Sequence, residues 1–305
     1  MTQQLLRSAA AGRRSAVTPI FAVRRGTDKA AGVIIHAALV VALIPLVGVL
    51  FSVITQGAAA VGNAKWWTKS QLGIVYNQEG GGALHAIIGT LLQAGISSAI
   101  SIPIGVFTAI YLVEYAQGGR LGAVTTFMVD ILSGVPSIVA ALFVYSAWVV
   151  LFGFSRSGMA VSLALVLLMV PVIVRNTEEM LRIVPQDLRE AAYALGVPKW
   201  KTIATIVVPT ALSGIITGIM LALSRVMGES APVLILVGST SAINLNPMDN
   251  PQSSLPLMML DMYKAGGLGV VGEKMWGAAF TLLLLITVVN ISARVISARF
   301  APLAH

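Results

Sequence analysis

Residues 157–175 read SGMAVSLALVLLMVPVIVR, and residues 207–238 form a second, longer apolar run. Between them lies the polar segment 176–206, NTEEMLRIVPQDLREAAYALGVPKWKTIATI. A helix that spans a bilayer needs roughly 20 mostly apolar residues, because lipid cannot hydrogen-bond exposed backbone groups. Both runs are about that long or longer, so the pattern predicts two membrane spans joined by an extramembrane segment.

Four further apolar runs extend this pattern in both directions along the chain. They cover residues 31–54, 84–114, 122–153 and 275–298. The composition agrees, since 57% of the residues are hydrophobic and 10% are charged, whereas soluble domains carry about 25% charged residues. We therefore predict an all-α integral membrane protein with about six transmembrane helices over residues 31–298. Residues 1–30 form a basic tail, residues 299–305 form a short C-terminal tail, and residues 239–272 form a polar loop.

Lysine and arginine residues are unequally divided between the two sides of this predicted membrane domain. Fourteen of the 20 lie on the side that holds both tails and segment 176–206, five lie on the other side, and Arg225 lies within a span. Cytoplasmic loops carry the excess of these residues in membrane proteins. Both termini are therefore predicted to be cytoplasmic, which requires an even number of spans. The net charge of +8 reflects the same asymmetry and does not indicate a nucleic-acid partner.

Several kinds of chemistry are excluded by residues that the sequence lacks. It contains no cysteine and three scattered histidines, which argues against disulfides, thiol chemistry and a histidine-based metal site. It contains no Gly-x-x-x-x-Gly-Lys-Ser/Thr loop for binding nucleotide phosphates, and no nucleophilic triad. We predict that the chain is not an enzyme and binds no cofactor or metal of its own.

The polar segment 176–206 contains the signals of two short helices joined by a glycine. Pro185 suits the start of the first helix, and Gly196 suits a left-handed stop. Pro198 then opens a second helix that continues into the span beginning near Val207. Such an elbow on the membrane surface has a shape suited to docking, because force applied to it can move the attached span. An ordinary amphipathic connector is the alternative interpretation.

Three predicted spans are longer than 27 residues and contain glycine or proline. The residues concerned are Pro103, Gly134 with Pro136, and Gly228 with Pro232. Tilting or kinking explains such lengths and is the favoured interpretation for Pro103. For the other two spans, broken helices beside a transport site are a fair alternative. Ser133 and Ser137 flank one break, where hydroxyls and freed backbone N–H groups could bind an anion, or small residues could simply pack.

The triplet Glu190-Ala191-Ala192, with Gly196 after it and Pro209 after Ile206-Val207-Val208, resembles the EAA loop of ABC-importer permeases. In that family the loop forms a coupling helix that sits in a groove of the ATPase subunit. The resemblance implies the type I permease fold of ABC importers and a coupling loop over about residues 176–206. The residues that it assigns to coupling are Arg189, Glu190, Ala191, Ala192 and Gly196.

Five further segments resemble the PstA-type permeases of phosphate-specific ABC importers. They are GALHAIIGTL (82–91), IYLVEY (110–115), DILSGVPS (130–137), RNTEEM (175–180) and RVMGESAP (225–232). The resemblance covers about residues 30–298. It implies a subunit of the bacterial inner membrane that forms half of a pore and moves inorganic phosphate into the cytoplasm. The implied partners are a second homologous permease, two ATPase subunits that bind ATP and magnesium, and an extracytoplasmic phosphate-binding protein.

Asp130, Arg225 and Glu229 are charged residues inside predicted spans, where burial in lipid is costly. Asp130 lies near the cytoplasmic end of its span, which leaves its burial open. Arg225 and Glu229 are four residues apart, so they are predicted to lie on one helical face and to be able to touch. They could form an ion pair that neutralises itself.

Alternatively, Arg225 could bind phosphate oxygens while Glu229 accepts a hydrogen bond from a protonated phosphate and repels sulfate. The resemblance implicates the same arginine and glutamate in transport. The residues predicted to line the substrate pathway are Arg225, Glu229, Ser133, Ser137 and Ser230.

Two alternatives to phosphate import stay open at the level of the sequence. The first keeps the class and changes the cargo to another oxyanion, such as sulfate or molybdate. The second is an ion-coupled secondary transporter, which would need no ATPase, and the elbow motif argues against it.

Overall fold

The computed structural model describes the backbone of residues 2–116 and 118–300 and the side chains of residues 28–116 and 118–295. Every regular element in these ranges is a helix. The chain divides into two compact units, Met1–Ser52 and Val53–His305. The predicted all-α class is therefore confirmed for the described part of the chain.

Twelve α-helices, three of them extended by short π-helical turns, make up the described chain. They are α1 (Thr2–Val61), α2 (Ala64–Thr68), α3 (Leu84–Ile110, with a π turn to Tyr115), α4 (Arg120–Ser133), α5 (Ser137–Val144, with a π turn to Leu151), α6 (Gly158–Ile183), α7 (Gln186–Ala194), α8 (Lys199–Thr202, with a π turn to Val207), α9 (Val208–Met227), α10 (Ala231–Leu236), α11 (Leu255–Lys264) and α12 (Gly269–Phe300). Residues 2–30, the predicted basic tail, lie within α1. Most of the predicted tail 299–305 lies outside the described residues.

Among the described residues, five helical segments are long and apolar enough to cross a membrane. They are Asp28–Val61, Leu84–Tyr115, Gly158–Ile183, Lys199–Met227 and Gly269–Val295. A sixth candidate is the pair formed by Arg120–Ser133 and Ser137–Leu151, whose two halves are bent by 106° at residues 134–136. The predicted number of about six spans is confirmed if this bent pair makes one crossing.

The neighbouring helices show that the chain returns from one end of the bundle to the other through the bent pair. At the C-terminal end of α3, Glu114 pairs with Arg189 of α7; we call this side the elbow end. At the start of α6, the Met159 N–H donates to the Pro247 carbonyl at 2.7 Å; we call this side the loop end. Both α3 and α6 run from the loop end to the elbow end, so the chain between them must return across the bundle.

Helices α3, α6 and α9 form the centre of the second unit, with α6 buried between the other two. Met169 and Ile173 of α6 are fully buried. Glycines permit the close approach, because a Cβ on Gly105 would lie 2.6 Å from Ile173 and one on Gly218 would lie 2.5 Å from Asn176. The helix α3 continues through Pro103 without a break.

The predicted loop 239–272 is wrong over its second half, which contains α11 and the start of α12. Ser254 caps α11 by accepting the Leu257 N–H at 3.3 Å, and Pro256 lies in its first turn. The apolar run that follows is too short to span a membrane. It forms a buried helix packed on α12. The last helix, α12, begins at Gly269, whereas the last span was predicted to begin at residue 275.

Candidate functional site

The predicted elbow is present between α6 and α9. The first arm is α7, and Gly196 follows it with φ of 77°, the left-handed conformation that glycine adopts most readily. Pro198 then precedes α8, which continues without interruption into α9. The prediction of a helix–glycine–helix elbow leading into a span is confirmed.

Arg189 fastens the first arm to the rest of the bundle. It is buried, and its guanidinium donates to Glu114 Oε1 from Nε at 3.2 Å and from Nη2 at 3.0 Å. The same group also donates to the carbonyls of Val184 at 2.7 Å and Leu181 at 2.9 Å. Arg189 therefore holds the elbow against the ends of α3 and α6. In this structure it is a positioning residue rather than part of an outer surface.

Lys199 fastens the second arm to the same end of α3. Its ammonium group donates to the Glu114 carbonyl and lies 4.9 Å from the centre of the Tyr115 ring. Both arms of the elbow are thus attached to one turn of one helix. Arg189 thus links α7 to α3, and α8 continues as helix into α9.

The outer surface of the elbow combines an acidic residue with exposed apolar side chains. Of the predicted coupling residues, Glu190, Ala191 and Gly196 are exposed and Ala192 is buried. Leu195 is 83% exposed and Trp200 is 66% exposed. A cavity of about 600 Å³ lies beside this surface, and its charged lining residues are Glu114, Arg182, Arg189 and Lys199. Apolar side chains exposed in this way are typical of a protein-binding surface.

Two breaks of similar construction interrupt the spans that were predicted to contain glycine and proline. At each break the glycine N–H donates to the carbonyl three residues earlier. Gly134 donates to the Ile131 carbonyl and Gly228 to the Arg225 carbonyl, both at 3.1 Å. Pro136 then precedes α5, and Pro232 lies in the first turn of α10. The restarted helices α5 and α10 pack against each other. The predicted helix breaks are confirmed for both spans, and their location beside a transport site stays a prediction.

The second break overturns the prediction that Arg225 and Glu229 share one helical face. Helix α9 ends at Met227, so the four-residue spacing does not bring the two side chains together. Among the side chains that the structure describes, neither residue forms an ion pair. Arg225 is exposed and Glu229 is half-buried. The self-neutralising pair is therefore excluded for this conformation.

The predicted serines lie close to these breaks. Ser133 is exposed at the end of α4 and donates to the Asp130 carbonyl at 2.7 Å. Ser137 is the first residue of α5. Ser230 precedes α10 and lines, with Gly228, a mostly apolar cavity of about 430 Å³. The structure thus distributes the predicted pathway residues over two adjacent breaks, and no hydrogen bond joins one break to the other in the described chain.

A charged network near the elbow end was not predicted. Arg175 of α6 pairs with Asp130 of α4 and with Glu178, and Glu178 also pairs with Arg182. Residues 175, 178 and 182 are spaced so that all three lie on one face of a helix, and this part of the network could have been predicted from the sequence. The partner on α4 could be found only from the tertiary structure.

Comparison with known proteins places the chain in a family. Residues 101–302 match the family described as "binding-protein-dependent transport system inner membrane component". The phosphate transport system permease protein PstA 1 of Mycobacterium tuberculosis (strain CDC 1551 / Oshkosh) is 51% identical over 282 residues, which cover 91% of each chain. The chain belongs to the PstA permease family.

Other members of the PstA family are similar over comparable lengths. The phosphate transport system permease protein PstA of Mycobacterium leprae (strain TN) is 48% identical, covering 90% of this chain and 89% of that protein. The PstA protein of Yersinia pestis is 37% identical, covering 90% of this chain and 92% of that protein. The similarity therefore extends over almost the whole permease and includes the elbow and both breaks.

Two solved structures share the fold at low sequence identity. An inward-facing structure of the MetNI methionine ABC transporter has a TM-score of 0.56 at 19% identity, covering 72% of this chain and 94% of that one. A bacterial ABC transporter involved in the import of the acidic polysaccharide alginate has a TM-score of 0.57 at 13% identity, covering 87% and 96%. These similarities confirm the predicted ABC-importer permease fold.

Proposed function

We propose that this PstA permease is the membrane-spanning subunit of an ATP-driven importer of inorganic phosphate. The observation that carries the proposal is the 51% identity, over 91% of each chain, with a phosphate transport system permease. Relatives of other genera that bear the same description are 37% identical over at least 85% of this chain. The substrate is therefore proposed to be inorganic phosphate, and the direction of transport to be into the cytoplasm.

Coupling to ATP hydrolysis is proposed to take place at the elbow. The sequence contains no nucleotide-binding loop of its own, so ATP and magnesium would bind to two ATPase subunits. The exposed Glu190, Leu195 and Trp200 offer those subunits a mixed acidic and apolar surface. Arg189 and Lys199 would pass the resulting movement to α3.

The substrate pathway is proposed to follow the exposed face of α9. Thr210, Ser213, Thr217 and Arg225 recur at intervals of three, four and eight residues and are all exposed in the isolated chain. The Thr210 and Thr217 hydroxyls donate to carbonyls of their own helix, and Leu221 on the same face is exposed. Arg225 is therefore the group on this face that is costly against lipid and inexpensive against water or another polar surface. We therefore propose that a second, homologous permease covers this face and that the two permeases enclose the pore.

The two breaks are proposed to hold the phosphate-binding groups. Arg225 has no carboxylate partner among the described side chains, so its donors are available to an oxyanion. An ionised Glu229 can only accept hydrogen bonds, which favours an anion that still carries a proton. Ser133, Ser137 and Ser230 would supply hydroxyl groups. An extracytoplasmic phosphate-binding protein would deliver the anion.

Uptake of labelled phosphate by cells that lack their own PstA tests the proposal. We expect the wild-type permease to restore uptake, and Arg225→Gln and Glu229→Gln each to abolish most of it without lowering the amount of permease in the membrane. Lys264→Gln, which removes an exposed charge at the end of α11, is the matched control and should transport normally. Full uptake by both pathway variants would show that these two residues are not the phosphate-binding groups.

Competition and energy dependence separate the other candidate functions. Excess unlabelled phosphate should suppress the uptake of label, whereas sulfate and molybdate should not. Uptake should also persist when the ion gradient is collapsed and ATP is maintained. Suppression by sulfate would indicate a different oxyanion as cargo, and loss of uptake with the gradient would indicate a secondary transporter.

A further inference from the structure

Asp130, Arg175, Glu178 and Arg182 form a series of alternating charges between α4 and α6. Arg175 Nη2 donates to Asp130 Oδ1, and Arg175 Nη1 donates to Glu178 Oε2 at 2.8 Å. Arg182 Nη2 donates to the other oxygen of Glu178 at 2.6 Å. Asp130 is the only member that lies on α4, so the Arg175–Asp130 pair is the single ion pair between the two helices among the described residues.

The members of this series differ in how firmly they are held. The side chain of Glu178 is 7% exposed and receives hydrogen bonds from two arginines. The side chain of Arg175 is 33% exposed and that of Asp130 is 59% exposed. In the water-filled pathway that the proposed function requires, such an exposed ion pair contributes little net free energy, because water screens it and both side chains lose freedom. There Asp130 can leave Arg175 at little cost, whereas the buried Glu178 is held by two arginines.

Arg175 and Arg189 differ in burial and in the number of hydrogen bonds that each donates. Arg189 is buried and donates four hydrogen bonds to Glu114, Val184 and Leu181. Arg175 donates two, both to carboxylates, and has no backbone partner among the described residues.

The position of the pair connects it with the proposed pathway. Arg175 lies eight residues before the end of α6, which is about 12 Å from the elbow end. Asp130 lies one turn before Ser133, whose hydroxyl donates to the Asp130 carbonyl. The break at residues 134–136 follows directly. The pair thus lies between the first break and the elbow end of the bundle.

We propose that Arg175 is a second oxyanion-binding site, at the elbow end of the pathway, and that the Asp130 carboxylate occupies it between transport events. This inference rests on the proposed import of phosphate. A carboxylate and a phosphate present similar pairs of oxygens to a guanidinium, so the arriving anion can take the place of Asp130. Glu178, which stays bound, keeps the net charge of the site low and favours release to the cytoplasm. Displacement of Asp130 also frees α4 to move about the break.

The test uses proteoliposomes that contain the assembled transporter, with ATP inside and the binding protein and labelled phosphate outside. The probe is millimolar unlabelled phosphate in the lumen, which faces the elbow end. In the wild type, Asp130 competes with lumenal phosphate, so uptake should be only weakly inhibited. Asp130→Asn removes the competitor, and since an exposed pair is worth up to about a fivefold factor, inhibition by lumenal phosphate should be roughly fivefold stronger.

Two further variants decide between a binding site and a structural contact. In Asp130→Asn with Arg175→Gln the site is absent, so the added sensitivity to lumenal phosphate should disappear. Arg120→Gln removes an exposed charge at the start of α4 without touching this network, and its sensitivity should equal that of the wild type.

If Asp130→Asn slows uptake by the same factor with and without lumenal phosphate, the Arg175–Asp130 pair is only a structural contact between α4 and α6, and the proposal is wrong. If the wild-type transporter carries no phosphate at all, the failure lies in the proposed substrate instead.

Discussion

Three arginines of this permease have the same side chain and three different environments. Arg189 is buried and saturated with acceptors, Arg175 is shared between two carboxylates, and Arg225 has no ion-pair partner in the described structure. A guanidinium that is already saturated can position a helix but cannot bind a substrate. A guanidinium that lacks a protein partner can bind a substrate, but it does not hold a helix in place. Residue type alone therefore does not assign the role.

Substitution of Arg189 tests the positioning role at the level of a single residue. Arg189→Ala leaves the buried Glu114 carboxylate without its partner, which typically costs about 3–5 kcal/mol. Arg189→Lys keeps the charge but cannot reach Glu114 and two carbonyls at once, so we expect an intermediate loss. Thermal unfolding of the purified permease measures both. Arg120→Ala, at an exposed arginine at the start of α4, should unfold like the wild type, and an equally stable Arg189→Ala would contradict the assignment.

Among the elements, the segment 251–254 shows how closely backbone can pack against a spanning helix. The Leu255 N–H donates to Thr90 Oγ1 at 2.9 Å, and Gln93 Nε2 donates to the Gln252 carbonyl at 3.2 Å. A Cβ on Gly89 would lie 1.9 Å from the Ser253 carbonyl oxygen. Only glycine permits this approach of the segment to α3.

Two glycines of α3 therefore should respond to alanine in opposite ways. Gly89→Ala forces the segment away from the helix and should destabilise the permease by about 1–3 kcal/mol or more. Gly95→Ala meets nothing within 4 Å and removes a flexible residue from a helix, which should stabilise by about 0.5–1 kcal/mol. Unfolding temperatures of the two variants in detergent check the signs. A loss of equal size in both would mean that the effect comes from the helix and not from the segment.

The elements that could be predicted from the sequence are those that depend on neighbouring residues, and the others depend on tertiary packing. The elbow was predictable because proline, glycine and the apolar run beside it are local signals. Helix α11 was missed because its apolar run is short and its burial comes from α12. The 106° bend and the separation of Arg225 from Glu229 depend on how α5 and α10 pack. Glycine and proline mark where a helix can break, and the tertiary contacts decide whether it does.

On the scale of the whole molecule, the bent pair decides which side each segment occupies. Because α3 and α6 both end at the elbow, the chain returns across the bundle through α4 and α5. With the five straight candidate spans of the described residues this gives six candidate crossings, the even number that the predicted cytoplasmic location of both termini requires. Five crossings would place the two termini on opposite sides of the membrane.

Cysteine accessibility tests this arrangement directly, because the sequence contains no cysteine and each introduced thiol is unique. Asn77→Cys lies in the exposed connection between α2 and α3 at the loop end, and a membrane-impermeant maleimide should label it in intact cells. Arg120→Cys, at the start of α4, and cysteines at Thr2 and His305 should react only after the membrane is permeabilised, because the positive-inside rule assigns all three to the cytoplasm. Labelling of only one terminus in intact cells would mean an odd number of crossings. The bent pair would then return to the side from which it started, and the parallel arrangement of α3 and α6 would be wrong.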